Sequence, residues 1–388
     1  MQKKIIKLAS FCFIMILLSA CSHTDKETNG SDTAKNAETI ESTETAESTE
    51  TAESTETTES TETTESVETT ESDETAESTE TAESVETAYN AEAEITVDKS
   101  TETKEIVEMS SVNEWEEFCR IQSYVCGGIC FDKEGNMLVA RPDALDKVTP
   151  DGTVTMLYDF SGLERGKSYN FISPFIWDMK YDNDNNLIAA AQDRIIKISE
   201  DGNVTTLIRE DFNGFLGASG LEIDKEGNLY VVSGGKVYRY SSDLSKSEYI
   251  SSSDYDSFFS IAFSPDYNYL YLTDFHTKAL IKCEIKPDGS VGKCTEIVRD
   301  PVKKSGAYGA PLNMIFSESG NMYVSIDGKA HILKVDQNDN LTLIDLNEPV
   351  SNHILVFGNE KFGKDQLYFT TYDDKVCKIQ LDENNELR

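Results

Sequence analysis

Short apolar stretches separated by polar turns recur from residue 129 to residue 381. Each repeat contains a stretch that ends at a residue opening a polar turn, and these residues can be aligned with one another. The intervals between them run from 40 to 53 residues, and the aligned positions are Asp132, Asp182, Asp224, Ser264, Ser317 and Gly358. Repeats of this length built from short strands are typical of β-propeller blades.

The residues around each aligned position predict four strands. In the third repeat an apolar strand ends at Ile223, a turn follows at 224–228, and two more strands follow at Leu229–Ser233 and Lys236–Ser241. Gly and Asn in such turns supply the positive φ that tight hairpins need. A further turn, often containing Asp-Gly, leads to a fourth strand such as the one at 203–208. Six units of four strands predict an all-β domain, a six-bladed β-propeller.

The last repeat has no fourth strand before Arg388. Counting 20 residues back from Asp224 reaches a fourth strand at Val204, and the same count from Asp132 reaches Val112. We therefore expect residues 112–121 to pair beside Lys375–Leu381 and to close the ring, which removes an exposed sheet edge. Because NEWEEFCR contains helix-favouring acids, a short helix is the alternative.

The N-terminus has the order of an export signal. Three lysines among the first seven residues precede Leu8–Leu18, an apolar stretch too short to span a bilayer comfortably. It ends in Leu-Ser-Ala-Cys, which resembles the bacterial lipoprotein box. The resemblance implies a signal peptide at 1–20 and a lipid on Cys21, which would anchor the protein to the cell membrane with its domain on the extracytoplasmic side. An ordinary secretory signal is the alternative.

A repetitive acidic segment follows. Eight six-residue units, such as ESTETA and ESVETA, fill Glu41–Ala88, and residues 22–110 hold 27 acidic and 4 basic side chains. Each unit has too little apolar surface to offset the entropy of ordering it. We interpret residues 21–110 as the lipidated cysteine and a disordered Glu/Ser/Thr tether. A glycosylated stalk and a binder of divalent cations are the alternatives.

Charge narrows the set of partners. The chain has 71 acidic and 35 basic side chains and a net charge of −36, of which 44 acidic and 28 basic side chains lie in the predicted domain, 111–388. Phosphate binding needs basic patches, so nucleic acid is excluded as a partner. The expected partners are the membrane, through the lipid anchor, and a protein or glycan ligand.

The repeat resembles the senescence-marker/gluconolactonase (regucalcin-like) propellers and, more loosely, NHL-repeat and streptogramin-lyase-like propellers. The resemblance covers about residues 112–388 and is best carried by SIAFSPDYNYLYLTDFHTKALIKCEIKPDGSVG at 260–292. It implies a divalent metal, usually Ca²⁺, at the mouth of the central channel in members that hydrolyse lactones, held by a Glu, two Asn and an Asp.

At the positions that match these metal ligands, the chain carries Gly127, Trp177, Phe259 and Leu312. None of these side chains offers an oxygen. Asp178 and Asn313 lie beside them and are the metal-ligand candidates. One carboxylate and one amide cannot supply the six to eight oxygens that Ca²⁺ prefers without many waters.

The beginnings of the inner strands predict a second kind of site, a small polar pocket. Inner strands of a propeller surround one channel, so residues four before each aligned position should meet at its mouth. The candidates are Asp178, Ser260, Asn313 and, with a shift of one residue, His353, together with Asp274, which ends a second strand near the same face. A water-filled channel mouth with satisfied polar groups is the alternative.

The cysteines of the domain predict two disulfides. Cys283 and Cys294 are symmetric about the turn at 288–289, so a regular hairpin places them opposite each other. Cys377 occupies the same place in its repeat as Cys283, and we expect it to meet Cys119 on the closing strand.

Three functions remain. The first is a membrane-anchored surface lipoprotein whose propeller binds a protein, glycan or small ligand, and it needs no cofactor. The second is a metal-dependent hydrolase of the gluconolactonase type acting on a sugar lactone, with Ca²⁺ or another divalent metal as its cofactor. The third is a structural role in the cell envelope. No metalloprotease or nucleophile-elbow motif and no phosphate-binding glycine loop occurs, so the catalytic residues stay unassigned.

Overall fold

Four strands near the start of the folded unit run before the propeller repeats begin. The computed structural model describes residues 93–98, 104–106, 108–111, 115–121, 127–142, 144–163, 175–191, 193–210, 212, 217–303, 309–327, 331–346, 352–371, 374–382 and 387, which we call the described residues. All of them belong to one unit, Ala88–Arg388. The first four strands are β1 (Ala93–Glu94), β2 (Val97–Asp98), β3 (Glu108–Ser111) and β4 (Trp115–Arg120).

Six antiparallel sheets follow, and each is one blade. Blade 1 contains β5 (Ile129–Phe131), β6 (Met137–Arg141), β7 (Ala144–Val148) and β8 (Val154–Asp159). Blade 2 contains β9 (Asp178–Tyr181), β10 (Leu187–Ala191), β11 (Arg194–Ile198) and β12 (Val204–Arg209). Blade 3 contains β13 (Ala218–Ile223), β14 (Leu229–Ser233), β15 (Lys236–Tyr240) and β16 (Lys246–Ser251).

The remaining blades repeat this order. Blade 4 contains β17 (Phe258–Phe263), β18 (Tyr269–Asp274), β19 (Ala279–Ile285) and β20 (Val291–Arg299). Blade 5 contains β21 (Pro311–Phe316), β22 (Met322–Ile326), β23 (His331–Val335) and β24 (Leu341–Asp345). Blade 6 contains β25 (Asn352–Phe357), β26 (Gln366–Thr371), β27 (Lys375–Gln380) and, as its outer strand, β4. The prediction of an all-β, six-bladed propeller is confirmed.

The first and last parts of the domain meet in blade 6. Strand β4 pairs antiparallel with β27, with Arg120 opposite Lys375 and Trp115 opposite Ile379. The predicted ring closure is therefore confirmed, and residues 115–120 form a strand rather than the alternative helix. Ile121, directly after β4, is fully buried in the cluster between blades 6 and 1.

The aligned turns form for the reasons that the sequence suggests. In the turn between β5 and β6, the Asp132 carboxylate accepts the backbone N–H of Asn136 at 2.8 Å, and Gly135 has a φ of 76°. Asn185 occupies the same place in blade 2 with a φ of 61°. Asx-type hydrogen bonds and a residue that tolerates positive φ set the turn, which explains why acids and amides concentrate there.

Apolar side chains fill the space between every pair of neighbouring blades. Six clusters of buried residues each join one blade to the next around the ring. Because both faces of a middle strand are covered, the second strand of each blade is mostly buried, as in Leu187–Ala191, where all five residues are buried.

Three short strands before β4 were not expected. The sequence assigns residues 21–110 to the tether, yet β1, β2 and β3 add in parallel to the outer strands of blades 3, 4 and 5. Ile95 and Val97 are buried in the cluster between blades 3 and 4. We call the described part of residues 93–111 the strap. The signal peptide, Cys21 and the repeats at 41–88 lie outside the described residues.

The two cysteine pairs have different outcomes. Cys283 and Cys294 are register partners on β19 and β20 and are joined by a disulfide. No disulfide joins Cys119 to Cys377, which corrects the second expected pairing. Cys119 lies opposite Val376, and because successive side chains of a strand alternate between its faces, the thiols of Cys119 and Cys377 pack on opposite faces of blade 6.

Candidate functional site

The inner strands surround the axis of the propeller. Each of the strands β5, β9, β13, β17, β21 and β25 contacts the inner strand of the next blade, and β25 contacts β5. Side chains near the start of these strands therefore lie around one channel, as the sequence predicted. What they do there differs from the prediction.

Hydrogen bonds join every pair of neighbouring blades at this level, which we call the junction ring. The donors and acceptors are Gly128 N to Ile176 O, Leu221 N to Asp178 Oδ2, Ser219 Oγ to Phe258 O, Thr273 Oγ1 to Leu312 O, Leu355 N to Asn313 Oδ1, and Thr370 Oγ1 to Gly127 O, at 2.7 to 3.3 Å. Inner strands cannot pair with one another as sheet edges do, so these bonds satisfy backbone groups near the axis.

Asp178 and Asn313 are therefore equivalent members of the junction ring. The side chains of Asp178 and Asn313 are both buried, and each accepts a hydrogen bond from the backbone N–H of an inner-strand residue in the next blade. Asp178 also accepts the N–H of Met179 through Oδ1 at 2.8 Å, so both of its oxygens face donors. A side chain held in this way positions backbone and presents no unengaged carboxylate oxygen to a ligand.

The charge state of Asp178 reflects this burial. Burial raises the pKa of Asp178 to about 6, although the nearby Lys180 ammonium and the two backbone N–H groups favour the ionised form. A pKa in this range suits a general base, but the geometry does not, because a base needs an oxygen directed at the substrate's proton.

The other pocket candidates take separate places. Ser260 is buried in the same layer, and its hydroxyl has no hydrogen-bond partner among the described residues. Asp274 is fully buried, and it accepts the N–H groups of Ser257 and Thr277 at 3.0 and 2.7 Å, which fixes the turn after β18. His353 lies on β25, and its side chain is outside the described part of the chain.

Apolar side chains occupy the entrance of the channel, one residue before the junction ring. Phe175, Trp177, Phe259 and Leu312 form one buried cluster, which we call the entrance cluster. The ring centroids of Phe175 and Trp177 are 4.4 Å apart, and those of Trp177 and Phe259 are 5.6 Å apart, both edge to face. Such pairs add to the stability gained from burial alone.

The entrance cluster occupies the positions where the family resemblance implies a metal. Three of the four matching positions carry side chains of the cluster. At the fourth, Gly127, a Cβ would lie 2.1 Å from the carbonyl oxygen of Ile176, so a glutamate would not fit without a shift of the backbone. The donor set of these positions does not fit Ca²⁺, which needs several oxygens. Among the described residues, no three His, Cys, Asp or Glu side chains are placed to hold a metal.

A third layer lies two residues before each aligned turn, and we call it the channel ring. Half of it is polar or charged and half is apolar, and five of its six members are partly exposed. Its members are Cys130, Lys180, Glu222, Ala262, Ile315 and Val356. Lys180 Nζ lies 3.5 Å from Glu222 Oε2. Burial alone would lower the pKa of Lys180, but the charges of Glu222 and Asp178 outweigh burial and raise it, so the ammonium persists.

Cys130 is the sulfur nucleophile nearest to this charged pair. Burial, reinforced by the Asp178 and Asp132 charges, raises the pKa of the Cys130 thiol to about 12. The thiolate is the reactive form, so this thiol is a poor nucleophile at neutral pH. Cys130, Ala262, Ile315 and Val356 pack into the apolar clusters between neighbouring blades, and Lys180 pairs with Glu222. The channel ring therefore does not assemble a nucleophile and a base.

A cleft of about 180 Å³ opens between blades 1 and 2, beside β8. Apolar, aromatic and charged side chains line the cleft. The apolar and aromatic ones are Leu138, Leu157, Tyr158, Tyr181, Leu187 and Ile198. Lys133, which also lines the cleft, pairs with Glu200 across the two blades.

Sequence reasoning did not identify the channel ring or the cleft. The members of the channel ring share one position in the aligned repeat, two residues before each turn, so the repeat itself carries a signal for them. The predicted pocket is instead built on the residues four before each turn. The cleft has no such signal, because it joins residues of two repeats at the outer side of their sheets.

No family model matches the sequence, and no curated protein matches it. Many solved structures do. A gluconolactonase from Xanthomonas campestris aligns with a TM-score of 0.54 and 16% identity over 68% of this chain and 88% of its own. A calcium-binding regucalcin from Agrobacterium tumefaciens aligns with a TM-score of 0.54 and 13% identity over 71% and 95%. A luciferin-regenerating enzyme gives 0.52 and 15% over 66% and 92%.

At identities of this order a likeness establishes the fold and leaves the activity open. The resemblance to gluconolactonase and regucalcin propellers that the sequence predicts is confirmed at that level. The chain is a six-bladed β-propeller similar in fold to gluconolactonase and regucalcin.

Proposed function

We propose that this protein is a lipid-anchored lipoprotein, displayed on the extracytoplasmic side of the membrane, whose propeller binds a protein or glycan ligand without hydrolysing it. The observation that carries the proposal is the entrance cluster. Where a lactonase of this fold would need oxygen ligands, Trp177, Phe259 and Leu312 pack against one another, and Gly127 has no room for a side chain.

The junction ring supports the same proposal. Asp178 and Asn313 carry the carboxylate and amide oxygens directly after the entrance cluster in sequence, and both accept backbone N–H groups of the next blade. Recruiting either oxygen for a metal would leave a buried N–H without an acceptor, which costs about 1 to 3 kcal/mol. Binding needs none of these groups to move.

Metal-dependent hydrolysis of a sugar lactone is the second candidate, because a gluconolactonase shares the fold. The test is hydrolysis of glucono-δ-lactone by the full chain in the presence of Ca²⁺, Mn²⁺ or Zn²⁺, with the Xanthomonas campestris gluconolactonase as positive control. We expect no metal-dependent rate above background in the parent and no change in Asp178→Asn. A metal-dependent rate that Asp178→Asn abolishes would establish the hydrolase and overturn the proposal.

The anchoring part of the proposal rests on Cys21 and has its own test. The full chain, expressed in a bacterium fed radiolabelled palmitate, should be labelled and should sediment with membranes. Cys21→Ala should remove both properties. Label that persists in Cys21→Ala, or a parent chain that stays unlabelled, would contradict lipidation at this residue.

Among the described residues, no helix has the length and apolar character needed to cross a membrane.

A further inference from the structure

The strap is attached to the propeller by short segments. Strands β1 and β2 have two residues each, and β3 has four. Between β2 and β3, the backbone N–H of Lys104 donates to Ile297 O at 3.0 Å, and its ammonium donates to Asn338 O at 2.9 Å. Segments held by few backbone hydrogen bonds and few buried side chains open locally at a lower free energy than the core of a fold. We therefore expect the strap to open more easily than any blade.

Two apolar side chains hold the strap between blades 3 and 4. Ile95 and Val97 are 7% and 4% exposed, whereas Thr96 between them is exposed. Asp98 pairs with Lys293 on β20 at 3.0 Å, but this ion pair lies near the surface and adds little stability. Opening of this part of the strap therefore depends mainly on Ile95 and Val97.

The same two side chains cover the disulfide. Val97 is the register partner of Cys294 where β2 adds to β20. Cys283 and Cys294 belong to the buried cluster that contains Ile95 and Val97, and they are 0% and 1% exposed. Reduction of a disulfide by thiols requires a thiolate to reach one of its sulfurs. The bond should therefore resist thiol reductants for as long as β1 and β2 are in place.

The strap also connects the propeller to the N-terminal part of the chain. Residues 22–92 precede β1, so a pull on them reaches β1 before it reaches any blade. After the strap, β4 is a six-residue strand of blade 6, and Cys119 and Ile121 are buried there. A pull should thus detach the strap in order from β1 to β3 and stop at β4.

We propose that the strap is a releasable clamp. Tension on the N-terminal part of the chain detaches it while the six blades stay folded, and its release uncovers the Cys283–Cys294 disulfide. Residues 93–111 supply at most about 65 Å of extended chain. In the cell the tension comes from the proposed lipid anchor at one end and a bound ligand at the other, so this role rests on the proposed function.

The first test measures access to the disulfide in the full chain. Dithiothreitol is the reductant: its two thiols are oxidised to a cyclic disulfide, and the Cys283–Cys294 bond takes up two electrons and two protons and becomes two thiols. Alkylation followed by mass spectrometry measures the rate. Ile95→Ala combined with Val97→Ala should speed the reduction at least about tenfold, because truncation of buried side chains raises the population of the open strap.

Two controls separate the strap from the rest of the fold. Thr96→Ala changes an exposed residue of the same segment and should leave the reduction rate unchanged. Leu355→Ala truncates a side chain buried between blades 5 and 6, so it destabilises the propeller away from the strap and should also leave the rate unchanged. Equal acceleration by Leu355→Ala would show that the sulfurs are reached by unfolding of the blades, and a parent reduced as fast as the strap variant would show that the strap does not cover them. Either result would overturn the proposal.

The second test applies tension directly. Optical tweezers hold the chain by residue 22 and by Arg388, so that neither a lipid nor a ligand is needed. We expect a reversible extension of at most about 65 Å at a force below the one that unfolds the blades. Ile95→Ala combined with Val97→Ala should lower the force of this extension. Met156→Ala combined with Leu157→Ala, on the β8 edge that no described strand covers, should leave it unchanged.

An extension that begins only when the blades unfold would overturn the clamp. That result would leave the proposed function standing. Failure of lipid labelling at Cys21, in contrast, would overturn the proposed anchor and leave the release of the strap under tension standing.

Discussion

The outer edges of blade 4 and blade 1 come from the same repeat and are finished in opposite ways. Blade 4 ends in β20, a nine-residue strand that a disulfide joins to β19 and that β2 covers. Blade 1 ends in β8, a six-residue strand with Met156 and Leu157 exposed. The repeat therefore specifies the four strands of a blade, whereas segments of the chain outside the repeat determine which blade edges are covered.

Blade 6 is the extreme case of this dependence, because its outer strand comes entirely from outside the repeat. Removing residues 111–121 should lower the free energy of unfolding by more than about 5 kcal/mol, since blade 6 loses a strand and the buried Cys119 and Ile121 leave the core. Urea unfolding followed by circular dichroism measures the change. Removing the eleven residues 55–65 is the control and should have no effect. An unchanged midpoint after removal of 111–121 would refute the closure.

The buried side chains of the strap should make the next largest contribution to the free energy of unfolding. Ile95→Ala combined with Val97→Ala should destabilise the protein by about 4 kcal/mol, because both side chains are buried between blades 3 and 4. Met156→Ala combined with Leu157→Ala is the matched pair on the bare edge and should change stability by less than about 0.5 kcal/mol. Similar losses from the two pairs, measured by urea unfolding, would remove the distinction between the edges.

The disulfide adds to the covered edge. Replacing both Cys283 and Cys294 by alanine should cost about 3 kcal/mol of unfolding free energy, as expected for a short closed loop. Alkylation of the unreduced, denatured parent followed by mass spectrometry should modify Cys119 and Cys377 and spare Cys283 and Cys294. Alkylation of all four residues would show that the bond does not form in the isolated protein.

The smallest effect extends the comparison to the inner edges, where blade 2 uses Asp178 and blade 5 uses Asn313 in the same role. In the folded protein burial raises the pKa of Asp178 to about 6, whereas in the unfolded chain the carboxyl loses its proton at lower pH, near its ordinary pKa of 3.8. The folded state therefore binds more protons between these values, and the stability that this group contributes is full below about pH 4 and is lost as the pH rises through 6.

Asp178→Asn removes this titration. The unfolding free energy of the variant minus that of the parent should rise by on the order of 2 kcal/mol between pH 4 and pH 7, whatever the value of this difference at pH 4. Asn313→Ser removes the equivalent acceptor without a titrating group, so its difference from the parent should not vary with pH. Parallel stability curves for the parent and Asp178→Asn would contradict the raised pKa.

Most of the blade architecture could be predicted from the sequence because its signals are local. Asp132 and Gly135 set a turn within five residues. Cys283 and Cys294 are symmetric about their hairpin turn and are register partners, although the register shifts between Cys283 and Ile285. The closing strand could also be located, since Trp115–Arg120 holds the place that Val204–Arg209 holds in its own repeat. The predicted pairing of Cys119 with Cys377 is wrong because Cys119 lies opposite Val376, and the next residue along the strand, Cys377, faces the other side of blade 6.

The strap and the candidate site lie beyond such signals. Strands β1 and β2 have two residues each and sit in acidic sequence, so neither periodicity nor propensity marks them. They form because the outer edges of blades 3 and 4 offer backbone partners and an apolar gap for Ile95 and Val97. The role of Asp178 likewise depends on the adjacent blade. The backbone N–H of Leu221 donates to Asp178 Oδ2, an oxygen that the sequence predicts to be available to a ligand.

The sequence by itself determined that this protein is a six-bladed all-β propeller, because a turn and two neighbouring strands are specified by contacts between residues close together in the chain. Tertiary structure alone decided which groups remain available for chemistry and association. Hydrogen bonds between neighbouring blades engage Asp178 and Asn313 near the channel mouth, and apolar packing fills three of the four positions matched to a metal. Strand addition covers some edges, whereas no strand of the described residues covers β8. Each of those outcomes depends on groups from different repeats, or from outside the repeats, that meet only when the ring is closed.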